Sequence, residues 1–131
     1  MSYSWRFKKQ LAKEFAHYPQ DQQDKILEFT ELFELHGLSD FTQYTGKISP
    51  SWSGLESDNP LYQYAKTHYL WHYHLGIPKY LSRHGKYKTS DWVLHFQWPE
   101  QGDFIILVDV FSFPNSVWEC LLVKLRLTIL S

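Results

Sequence analysis

The chain has 131 residues, 44% hydrophobic and 18% aromatic, with a formal net charge of -1. That length suits one domain, residues 1–131, with enough chain to bury a core of Trp, Tyr and Phe. The charge excludes a uniformly basic nucleic-acid binder, and the lone Cys120 excludes an intramolecular disulfide or a cysteine metal cluster.

One free cysteine fits a reducing cytoplasm, which is the expected location. The opening segment MSYSWRFKKQLAKEF shows no signal-peptide pattern, and no stretch reaches the ~20 apolar residues of a membrane span. No membrane association is expected.

Tyr3, Trp5 and Phe7 alternate and predict a short first strand. Residues 8–16 read as a short helix with Leu11, Ala12 and Phe15 on one face, ended by Tyr18-Pro19. Asp21 is then a good N-cap for a second helix. Ile26, Phe29, Leu32 and Phe33 carry it at helical spacing to about His36, and Gly37 stops it. Residues 38–62 read as irregular, punctuated by Gly46, Pro50, Gly54 and Pro60. Such a long connection is functional or mobile. Lys47 and Trp52 could pack or bind there, and packing is the better reading. Residues 61–66 read as a further short strand or turn.

Two alternating runs follow. In 69–75, Tyr69, Trp71, Tyr73 and Leu75 share one face, and Leu70, His72 and His74 the other. In 92–98, Trp92, Leu94, Phe96 and Trp98 form an apolar face opposite Val93, His95 and Gln97. Residues 99–103, PEQGD, form a hairpin turn into the most apolar strand, FIILVDVF at 104–111. Apolar on both faces except at Asp109, that strand is expected in the middle of the sheet. The tail after Pro114 alternates Leu121, Val123, Leu125, Leu127 and Ile129, favouring a strand over a short helix. The order predicts an α+β fold with helices packed on a curved antiparallel sheet.

If the two histidine-bearing strands are neighbours, His72, His74 and His95 lie on one face. Their connection carries Lys79, Tyr80, Arg83, His84, Lys86, Tyr87 and Lys88, and no acid occurs between Asp58 and Asp91. This combination suits RNA cleavage by the RNA's own 2′-hydroxyl. The protein need only remove one proton, donate another and stabilise charge on the phosphorane. Histidine, with an ordinary pKa of ~6.5, can do the first two jobs, and arginine the third. Tyrosines offer stacking platforms for unpaired bases. Taken singly, each histidine is more often a packed structural residue, and the basic connection more often a solvated loop. Clustering raises the functional reading. His72-x-His74 also has the look of a metal pair, but the stretch lacks the acids and cysteines to complete a site, so no cofactor is expected.

Several pieces, in order, resemble the YafO-type toxins of the RelE/ParE superfamily. They are SWRFKKQL, the helix end ELFELHGL, the strand WHYHL with its His-x-His-Leu, the Ser82-Arg83 pair, the Thr89-Ser90-Asp91 step, VLHFQ and FIILVDVF. The resemblance covers roughly residues 3–114, leaving 115–131 as an apolar tail. It implies a RelE/ParE-like α+β domain and a bacterial type II toxin that cleaves mRNA on the ribosome, neutralised by a cognate antitoxin protein. It implies His72, His74 and Arg83, with His95 beside them, as catalytic residues. The basic connection supplies Lys79, Tyr80, His84, Lys86, Tyr87 and Lys88 as RNA contacts. Two alternatives fit the same scaffold: a ParE-like toxin that binds a topoisomerase without cutting RNA, and a non-enzymatic immunity or antitoxin-type module.

Overall fold

The computed structural model describes residues 2–53, 55–77, 81–84, 87–89 and 92–112, with the backbone alone at 81–84, 87–89 and 111–112. The tail beyond 112, for which a strand was favoured, lies outside the described residues, as do Lys79, Tyr80 and Lys86.

The chain opens with β1 (Ser4–Phe7), α1 (Lys9–Glu14) and one 3-10 turn, then α2 (Gln20–His36). α2 buries Gln22, Ile26, Phe29, Thr30 and Phe33, a stripe at helical spacing. Its N-cap is Pro19, two residues before the expected Asp21. Proline pre-sets the entry dihedral there, and Asp21 instead places its negative charge in the first turn, accepting from the Gln22 amide at 3.0 Å. Gly37 ends the helix at φ 62°, and its amide bonds the Phe33 carbonyl at 2.8 Å. A side chain at Gly37 would also collide with the Tyr3 ring.

The segment expected to be irregular holds a 3-10 turn (Phe41–Gln43), β2 (Ile48–Pro50) and the start of α3 (Pro60–Thr67). α3 replaces the short strand or turn read at 61–66. The Asn59 side chain accepts from the Leu61 amide at 2.9 Å and Pro60 opens the first turn, so Asn-Pro here starts a helix. Next come β3 (Leu70–His74), β4 (Leu81–His84), β5 (Tyr87–Thr89), β6 (Trp92–Gln97) and β7 (Phe104–Ser112). β4 and β5 pair as a two-stranded sheet inside the expected loop.

The main sheet runs β1-β7-β6-β3-β2. Its pairings are antiparallel except β1 with β7, which is parallel. β7 is interior, flanked by β1 and β6, while the middle place belongs to β6. Tyr69, expected on the aromatic face of β3, precedes the strand at φ 58° and is 38% exposed.

Two layers cover the sheet. On one face α1 and α2 bring Leu11, Ile26, Phe29 and Phe33 onto Trp71, Tyr73, Leu94, Phe96, Ile105 and Leu107. Phe29 stacks on Tyr73 with ring centroids 4.7 Å apart and lies 5.4 Å from Phe96. On the other face Ala65 of α3 packs with Leu70 and Val108, bordered by Trp52, Leu55, Leu61 and Tyr64. Trp52 is a packing residue, set edge-on against Trp71 at 5.7 Å.

Gly46 sits where β2 approaches β3, its amide 3.3 Å from the Tyr73 hydroxyl. A Cβ there would run into the backbone carbonyl oxygen of His74. Gly46→Ala is therefore expected to push β2 off the sheet edge at a cost of about 1–3 kcal/mol, read as a lower urea midpoint.

Candidate functional site

β3 and β6 are adjacent and antiparallel, with His72 directly opposite His95. His74 is two residues along the same strand and shares their face. The His72 and His95 rings are 6.2 Å apart and the His72 and His74 rings 5.6 Å. The alternation read from the two runs thus brings all three histidines together, on the sheet face away from α1 and α2.

All three are buried, and His95 has no exposed surface. Burial is the first cause holding His72 well below the ordinary histidine range, followed by the charges of His95, His74 and Lys47. Burial, then His74, lowers His95 to about 3. Both rings are neutral at physiological pH, each offering one N–H donor and one acceptor nitrogen. They serve as proton acceptors or dipoles there, not as standing cations.

Two neighbours were not singled out as site residues. Ser51, fully buried in the turn after β2, lies 3.2 Å from His72 Nδ1 through its Oγ. Its amide is tied to the Leu70 carbonyl at 2.9 Å. This contact holds Nδ1 of His72 against the turn after β2. Lys47 precedes β2, and its carbonyl accepts from the His74 amide at 3.1 Å. Ile48 belongs to the aromatic core face, so alternation places Lys47 and Ser49 with the histidines. The signal was the period-two run Lys47-Ile48-Ser49-Pro50-Ser51, hidden by its short length and proline.

Asp109 is the register partner of His95, yet it serves the opposite face. A bulge between His95 and Phe96 shifts the pairing on β7. Asp109 reaches the Tyr18 hydroxyl, which also contacts Glu14 Oε2 at 3.4 Å. Burial first, then the charges of Asp109 and Glu14, push the Tyr18 hydroxyl up. The bulge thus moves a carboxylate away from the imidazoles. Among the described residues, no group of three His, Cys, Asp or Glu side chains is arranged to hold a metal ion.

The backbones of Arg83 and His84 lie in β4 and those of Tyr87 and Lys88 in β5, with His84 opposite Tyr87. This hairpin belongs to the connection between the two histidine strands. Backbone bonds from Leu75 to Trp92 and from Trp92 to Ile77, both 3.1 Å, close the base of that connection.

No protein-family model matches the chain. No curated protein matches it either. Among solved structures, the chain is similar to one described as the archaeal RelE–RelB complex from Pyrococcus horikoshii OT3. The match covers 88% of this chain and 100% of that one, at 14% identity and a TM-score of 0.49.

Proposed function

We propose that this protein is a type II toxin of the RelE/ParE kind that cleaves mRNA on the ribosome and is neutralised by a cognate antitoxin. One observation carries the reading: His72, His74 and His95 meet on one sheet face, and the chain joining their strands is rich in Arg, Lys and Tyr. The ordered sequence resemblance supports it.

In this reading the RNA supplies its own nucleophile. The 2′-hydroxyl attacks the adjacent phosphorus and gives up its proton to the neutral imidazole of His72. The P–O5′ bond breaks as a 2′,3′-cyclic phosphate forms, and the leaving 5′-oxygen takes a proton from His74. Arg83 stabilises the charge on the phosphorane. His95, fully buried, positions His72 without touching RNA. Lys79, Tyr80, His84, Lys86, Tyr87 and Lys88 hold the strand through phosphate contacts and base stacking. The chemistry needs no metal.

Inducible expression followed by primer extension on a reporter mRNA tests this. Growth arrest should come with discrete cuts that vanish when the start codon is removed. Arrest with intact mRNA and DNA damage would indicate a topoisomerase poison, and harmless expression that protects against another protein would indicate an immunity module.

A further inference from the structure

We propose that Lys47 is a phosphate-contact residue of the histidine face, holding a phosphodiester oxygen of the RNA against His72 and His74. The inference rests on the RNA reading above and deepens it by naming a cation at the β2 edge of the histidine face, across from His74.

Position carries the argument. The bond from the His74 amide to the Lys47 carbonyl sets Lys47 across from His74, and Ser49 is the register partner of His72. Lys47 is half-buried, and its charge reaches His72. Among the described residues no carboxylate pairs with it. The described side chains sharing that face of β3 and β6 are Leu70, His72, His74, Val93, His95 and Gln97, none of them acidic. The bulge diverts Asp109 to Tyr18. A partly desolvated ammonium beside the neutral His72 ring, with no carboxylate on its face among the described residues, is a charge that an anion would satisfy. A bound phosphate would also offset the Lys47 charge that opposes protonation of His72, so substrate would make His72 easier to protonate on arrival.

The test uses the full chain and two probes, inorganic phosphate and a short single-stranded oligoribonucleotide. Phosphate should shift the imidazole NMR signals of His72 and His74. Lys47→Gln should bind phosphate about tenfold more weakly and show a shallower salt dependence of RNA affinity, by close to one phosphate contact. Lys47→Arg should stay within about threefold of the parent, which controls for folding. Unchanged phosphate and RNA binding in Lys47→Gln would overturn the assignment while leaving the RNA reading standing. Weakened phosphate binding with unaltered RNA affinity would keep the anion contact and overturn RNA as its ligand.

Discussion

Variants His72→Gln, His74→Gln and Arg83→Ala are expected to abolish growth arrest while the protein stays folded. Each imidazole that moves a proton should contribute about 10²–10⁴-fold to cleavage, and the guanidinium about 10²–10³-fold. Glutamine is the better replacement at 72 and 74 because both sites are buried, and a cavity or an unpaired Ser51 hydroxyl would confuse unfolding with lost chemistry. Arg83→Lys should recover little, since a point charge does not reproduce a bidentate fork. His95→Gln should be milder and should change rate more than RNA affinity, because His95 acts only through His72. Single-turnover cleavage by purified ribosome complexes reads these effects, with thermal melts on the same samples. Full toxicity in all three folded variants would remove the histidine face from the mechanism and leave RNA cleavage to be sought elsewhere.

Local periodicity made the site's core readable. Period two in 69–75 and 92–98 separates Trp71, Tyr73, Leu94 and Phe96 from His72, His74 and His95, because a strand has no other way to place its side chains. The parallel pairing of β1 with β7 was not readable, since it joins segments nearly a hundred residues apart and leaves no local pattern. α3 was missed because Asn59-Pro60 reads equally as a turn and as a cap, and packing of Ala65 on Leu70 and Val108 decides between them. Burial was also hidden. A histidine on the polar face of a strand suggests solvent and an ordinary pKa, whereas here the three lie under cover with Leu70, Val93 and Val108 beside them. The diversion of Asp109 depends on a bulge that only the pairing of β6 with β7 reveals.

That burial has a second consequence, a steep loss of stability in mild acid. His72 and His95 are held neutral in the fold, with His95 at about 3, whereas both return to ~6.5 when the chain unfolds. Below pH ~6.5 the unfolded state therefore binds more protons than the folded state. Stability is fully present above that pH and falls as the pH drops toward 3. With its folded value at about 3, His95 should by itself cost about 2 kcal/mol between pH 7.5 and 5, and His72 acts in the same direction. Small domains have only about 5–15 kcal/mol in all, so a loss of this size by pH 5 should be readily measurable. Asp40, held below the usual carboxylate range first by its hydrogen bonds to Thr42, titrates too low to cause this loss. Urea midpoints measured at intervals from pH 7.5 to 5 give the slope. His95→Leu, which replaces the imidazole with an apolar side chain, should make it shallower. A slope unchanged by that substitution would show that the imidazoles are not the groups taking up protons.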